Sequence, residues 1–213
     1  INNVLLHPDG FIAKLLHLGD LIPNLADYQA IFAPVLNGSL NILAILIVFL
    51  IARNLAKGLG ADDLLTGLTA VSVFFIMYPA AVDGNLTMTY MGPQGLFVAL
   101  IIGLLVGEIL SRLSKSSKLE IKMPEQVPPA VARTFKILLP IIIVTVGFSV
   151  LNFIVGKLTD GGGIHTIIYD LLQKPLIALG DNIFSLVIMV LVSNLLWIMG
   201  IHGPNTIAAV RDT

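Results

Sequence analysis

Five stretches of this chain carry no charged residue over a length that would cross a bilayer: residues 28–52, 64–82, 84–107, 137–156 and 182–201. Each is bounded by ionisable side chains. A helix needs roughly 20 apolar residues to cross the hydrocarbon core, and the buried core of a water-soluble protein mimics one such window but not five. The pattern therefore predicts an all-α integral membrane protein with about five transmembrane helices. In the third window Gly84 and Asn85 are polar and Pro93 suits a first helical turn, so the helix proper is expected to begin near Pro93 and to end within 108–112.

The polar stretches have patterns of their own. Residues 10–22 set Phe11, Ile12, Leu15, Leu16 and Leu18 beside Lys14, His17 and Asp20, and residues 164–179 set Ile167, Ile168, Leu171 and Leu172 beside Asp170 and Lys174. Both are expected to be amphipathic helices lying along the outer interface. Residues 118–124 alternate Leu119, Ile121 and Met123 with Lys118, Glu120 and Lys122 and then meet Pro124, Pro128 and Pro129. That alternation predicts a short cytoplasmic β segment followed by a stiff turn. Residues 83–95 alternate Leu86, Met88 and Tyr90 with Thr87 and Thr89, which predicts a second extended strand on the outer side.

Composition agrees with lipid as the solvent. The 213 residues are 56% hydrophobic and 12% charged, and the mean hydropathy is +0.95. A net charge of -1 gives no global field for nucleic acid. With no cysteine, disulfides, thiolate-bound metals and thiol nucleophiles are excluded. No HExxH, Walker A or dinucleotide glycine motif occurs, so neither a metal nor a cofactor is expected.

Basic residues near span ends stay on the cytoplasmic side. Arg112, Lys115, Lys118, Lys122, Arg133 and Lys136 collect in the link between the third and fourth windows, which is therefore expected inside. Alternation then puts Arg53 and Lys57 inside as well, and the link 83–92, which has no basic residue, outside. Residues 1–27 would also lie outside, although they carry no export signal. The chain opens on Ile1 and stops at Thr213 just after a hydrophobic segment, so both ends are read as cuts in a longer protein, with a helix missing upstream.

Two segments offer candidate chemistry. At the end of the fifth window, Gly200, Gly203 and Pro204 disfavour continuous helix, and irregular backbone at membrane depth survives only where it lines a cavity or is buried in protein. His202 donates and accepts hydrogen bonds, Asn194 does both through its amide, and Trp197 offers a flat apolar face of the kind that stacks on sugar rings. Asn194 and Trp197, three residues apart, share a helix face. The same residues also suit a helix that ends at the membrane surface with an interfacial Trp and a solvated His. In the outer segment, Gly92 to Gly95 would let backbone approach a ligand, with Gln94 holding a hydroxyl, and an ordinary exposed hairpin is the other reading.

Weaker signals are expected to be structural. Gly103 and Gly107 form a GxxxG pair read as close helix packing. Glu108, four residues before Arg112, is read as a salt bridge at the rim. His7, His17 and His165 are scattered, with no shared pattern.

Three stretches resemble a known family: Tyr90-Met91-Gly92-Pro93-Gln94-Gly95-Leu96-Phe97, then 123–133 from Met123-Pro124 to Arg133, then Trp197-Ile198-Met199-Gly200-Ile201-His202-Gly203-Pro204-Asn205. Across essentially all of its length the chain is similar to enzyme IIC, the membrane component of a sugar phosphotransferase system of the lactose, cellobiose and diacetylchitobiose type. The resemblance implies two membrane domains, the first mediating dimer contact and the second holding the sugar. Residues 1–181 would belong to the first, with four spans and the outer amphipathic helices. Residues 182–213 would supply the fifth span and the start of the sugar-binding part, and the downstream domain would be missing.

The implied partners are a β-linked disaccharide, a phosphorylated IIB protein with IIA upstream of it, a second copy of the chain, and the lipid bilayer of the bacterial cytoplasmic membrane. His202 matches the family's binding-site histidine, and Trp197, Asn194, Gln94 and Gly95 complete the expected substrate-binding set. No residue here is expected to be catalytic, because the family's intramembrane glutamate falls in the later half. The competing readings are a sugar channel or ion-coupled secondary transporter, and a membrane scaffold that only dimerises. Secondary transporters generally place ionisable groups within their spans, and these windows hold none apart from His202 at one end.

Overall fold

The computed structural model describes residues 14–17, 22, 25–81, 83–124, 126–159, 163–168, 170–171 and 183–198. Contacts divide the chain into two compact units, Ile1–Ile42 and Leu43–Thr213.

In the first unit, α1 (Leu25–Asn37) is followed by a 3-10 turn at Leu40–Ile42. The first window was expected to be one continuous helix, and the structure interrupts it at Gly38 and Ser39. The cause is local. Gly38, a poor helix former, turns the chain there with its N–H on the Pro34 carbonyl at 3.0 Å, and the Ser39 hydroxyl and Asn41 amide bond back across the turn to Val35 and Asn37. Most of the amphipathic helix expected at 10–22 lies outside the described residues.

The second unit is built on α2 (Leu43–Gly58), α3 (Asp63–Ile76) and α4 (Leu96–Leu113), which pack on one another. Every fourth residue of α2, Ala44, Val48, Ala52 and Ala56, is fully buried. This small-residue stripe admits α4 at close range, and the GxxxG pair completes the fit. A Cβ at Gly103 would sit 3.0 Å from Ile51, and one at Gly107 would sit 3.0 Å from Leu55. Large apolar side chains point outward instead, among them Leu46, Leu50, Leu104, Leu105, Ile142 and Ile143. Small residues inside and long apolar ones outside is the arrangement that lipid selects, because between helices the bilayer offers no hydrophobic driving force and close packing must supply the contact.

Around this trio lie α5 (Pro129–Lys136), α6 (Leu138–Leu158), α7 (Gly163–Ile168) and α8 (Ile183–Ile198). Among the described residues, three helical runs are long and apolar enough to cross a membrane: Pro34–Gly58, Pro93–Leu113 and Leu138–Leu158. These runs fall in the first, third and fourth expected spans, and the second and fifth windows give shorter helices. The windows 64–82 and 182–201 become α3 and α8, apolar helices of 14 and 16 residues. At about 1.5 Å per residue, α3 rises only about 21 Å. It stops because Pro79 disfavours helical backbone at Tyr78. The third expected helix starts where the proline indicated, with a 3-10 turn at Pro93–Gly95 leading into α4.

The β segment expected at 118–124 is not formed, nor is the outer strand expected at 83–95. Among the described residues no strand occurs, and both stretches run as turns and irregular chain. Alternation of side chains becomes a strand only when another strand takes its hydrogen bonds along its length, and the outer stretch gains a single bridge position, at Asn85. The helix expected at 164–179 is described only as α7, with Asp170 and Leu171 beyond it.

The two ends of the second unit differ in chemistry. At one end, Asp62 caps α3 by accepting from the Leu65 N–H at 3.0 Å. The same carboxylate takes a two-pronged contact from Arg133 on α5, with Nη2 at 2.9 Å from Oδ1 and Nε on Oδ2. Arg53 of α2 donates to Asp63 at 3.0 Å, Glu108 pairs with Arg112 as the spacing indicated, and Lys136 lies 3.5 Å from Glu120. The basic link and the end of α2 therefore share one end, as the distribution of Lys and Arg required. At the opposite end Phe74, Tyr78, Tyr90 and His165 form an aromatic cluster.

Candidate functional site

α8 carries the part of the sequence-derived site that can be located. Ser193 and Leu196 are buried, and Leu196 belongs to the core cluster, so this face of α8 is turned toward the bundle. Asn194 and Trp197 occupy the exposed side, and Trp197 is 57% exposed. The helix thus keeps the amide and the indole together on one face, directed away from the apolar core. The helix is continuous through Ile198. His202 and the break expected at residues 200–204 lie outside the described residues.

Gln94 and Gly95 sit on a different element, the 3-10 turn that opens α4. Gln94 is half-buried and Gly95 is buried. The backbone carbonyl of Tyr90 occupies the space a Gly95 Cβ would need, 1.9 Å away, with the Ala44 Cβ at 3.2 Å. Close approach of chain to chain therefore requires glycine here. The Met91 carbonyl accepts from the Ala44 N–H at 2.8 Å, which satisfies one of the donors that every helix start leaves unpaired.

Sequence reasoning missed what holds this turn in place. Tyr78, just past the end of α3, donates its phenol to the Thr87 carbonyl at 2.7 Å and accepts the Tyr90 N–H at 3.1 Å. His165 of α7 completes the cluster, its ring centroid 4.5 Å from Tyr90, 5.3 Å from Tyr78 and 5.8 Å from Phe74. The imidazole is 2% exposed, and neither ring nitrogen has a hydrogen-bond partner among the described residues. Burial pushes its pKa down to about 4, because charge is costly away from water. His165 is therefore a neutral ring in an aromatic box. No spacing in the sequence announces it, since Tyr78, Tyr90 and His165 meet only on folding. The single available signal was an isolated histidine among apolar residues.

Among the described residues no cluster of His, Asp and Glu suited to a metal occurs. What the located residues can do is non-covalent: a stacking face and an amide on α8, and an amide on a rigidly strapped turn at the head of α4.

The profile described as phosphotransferase system, EIIC matches residues 10–212. The oligo-beta-mannoside-specific EIIC component of Bacillus subtilis (strain 168) is 32% identical over 196 residues, covering 88% of this chain and 44% of that protein. The cellobiose-specific EIIC component of Geobacillus stearothermophilus is 32% identical over 183 residues, covering 80% of this chain and 40% of that protein. Among solved structures, the crystal structure of the transporter ChbC, the IIC component from the N,N'-diacetylchitobiose-specific phosphotransferase system, aligns with a TM-score of 0.66 and 31% identity. That alignment covers 98% of this chain and 49% of ChbC. The chain thus spans about half the length of the relatives it matches.

Proposed function

Because the chain belongs to the phosphotransferase system EIIC family, we propose that it serves as the sugar-permease component of a phosphoenolpyruvate-dependent phosphotransferase system in the bacterial cytoplasmic membrane. Its substrate is a β-linked disaccharide of the cellobiose, diacetylchitobiose or lactose kind. The observation that carries this reading is the continuity of the family match. It runs from residue 10 to residue 212 and so passes through Asn194, Trp197 and His202.

In this reading the disaccharide enters from outside and rests against the exposed face of α8. Trp197 stacks on a sugar ring, Asn194 and His202 hold hydroxyls, and Gln94 with Gly95 belongs to the same lining. Phosphate comes from a phosphocysteine of the partner IIB, itself charged by IIA, so this chain contributes positioning and not the transferred group. Holding the acceptor hydroxyl in line is a large part of catalysis in phosphoryl transfer. The chain also forms a homodimer through its first four spans.

Equilibrium binding of cellobiose and of diacetylchitobiose to the full-length protein in mild detergent tests the site. His202→Ala is expected to weaken binding at least tenfold, the scale of losing hydrogen bonds to a bound hydroxyl. Unchanged affinity in that variant removes His202 from the cradle. Cross-linking in the same detergent tests the dimer, and exclusively monomeric protein counts against it.

A further inference from the structure

We propose that the basic end of the bundle holds a binding site for the phosphate headgroup of an anionic phospholipid, formed between the end of α4, the link that follows it, and α5. Two adjoining open cavities of about 490 and 550 Å3 lie there and share Glu120, Arg133 and Lys136 as walls. Lys115 lines the first and Lys122 the second. The charges in these walls do not cancel. Arg133 is committed to Asp62 and Lys136 to Glu120, which leaves Lys115 and Lys122 with no carboxylate partner among the described residues. Each offers three donors on a flexible stem, a form suited to phosphate oxygens.

The position selects a lipid over a soluble anion. Ser114 and Ile137, both in the cavity wall, are the residues that directly follow α4 and precede α6, and these two helices are long and apolar enough to cross a membrane. The cavities therefore open where those helices leave the hydrocarbon. α5 adds an apolar wing beside them. Val131 and Phe135, one helical turn apart, are 42% and 37% exposed, while Arg133 and Lys136 of the same helix line the cavities. A helix divided in this way lies in the interface with its apolar face among acyl chains and its cations at headgroup depth. Neither free phosphate nor an acidic protein surface would make use of Val131 and Phe135. The proposal needs only that the chain crosses a membrane, so it stands or falls apart from the sugar reading.

The test uses the full-length protein purified in dodecyl maltoside, with bound dioleoylphosphatidylglycerol and dioleoylphosphatidylcholine measured by native mass spectrometry. Phosphatidylglycerol is expected to be retained in preference. One cation near an anionic surface is worth about fivefold in affinity, so the double variant Lys115→Gln, Lys122→Gln should bind it about thirty-fold more weakly at low salt. Lys57→Gln, which lines neither cavity, should leave binding unchanged. The single variant Lys122→Gln, in the irregular link, gives the fivefold reading should the double variant fail to fold. Equal retention of phosphatidylcholine overturns the proposal. So does undiminished phosphatidylglycerol binding in the lysine variants, loss of binding in Lys57→Gln, or displacement of the lipid by millimolar inorganic phosphate.

Discussion

The Tyr78 oxygen holds the outer segment from both sides, donating to Thr87 and accepting from Tyr90. Tyr78→Phe leaves an amide and a carbonyl without that partner and should cost about 1–3 kcal/mol. Amide exchange over residues 87–91 should quicken while that of α2 and α4 stays slow. His165 gives a pH signature. The ring titrates near 4 when folded and near 6.5 in the open chain, so below pH 6.5 the unfolded state binds a proton that the folded state refuses. Its contribution to stability is therefore intact above pH 6.5. It is lost at up to about 1.4 kcal/mol per pH unit down to about pH 4, and levels off below that. His165→Phe keeps an apolar ring in the box, and its detergent melting profile should lack this component. Parallel profiles for the two proteins would refute the assignment. The sequence showed Glu108 with Arg112, because four residues on a helix are neighbours, but it hid the Tyr78, Tyr90 and His165 cluster, whose members lie on three separate segments.

Among the elements, α3 and its connection to α5 give the sharpest test. Asp62→Asn keeps an oxygen to cap α3 but lacks the charge that Arg133 meets, whereas Asp62→Ala loses both. The alanine variant should be less stable than the asparagine variant by about 1 kcal/mol, the value of an N-cap, as read from detergent melting. In α4, Gly107→Val forces a branched side chain toward Leu55 and Ala52 and should cost about 1–3 kcal/mol. The existence of these helices was legible because hydrocarbon tolerates few charges, so charge-free windows mark them. Their ends were not. The break after Asn37 and the early stop after Ile76 depend on one glycine and one proline, signals that hydropathy does not carry. The irregular course of 118–124 was misread for a related reason, since strand pairing requires a distant neighbour that no local alternation reveals.

For the whole molecule, the absence of cysteine makes orientation directly measurable. A single Lys118→Cys should react with a membrane-impermeant thiol reagent only in inverted vesicles, and Asn85→Cys only in intact cells. Labelling in the opposite sense would reverse the topology derived from Lys and Arg. Of the candidate site residues named from the sequence, Asn194 and Trp197 fall on one exposed helix face and Gln94 and Gly95 on a separate turn, while His202 lies outside the described residues. The strapping of Gln94 and Gly95 emerged from packing. The interior of alanine and glycine between α2 and α4 carries one more implication. Backbones in such intimate register have no side-chain cushion to roll on, so sliding either helix would open a gap along its whole length. This pair should accordingly travel as a solid block, and any change of shape within the second unit falls to its other helices.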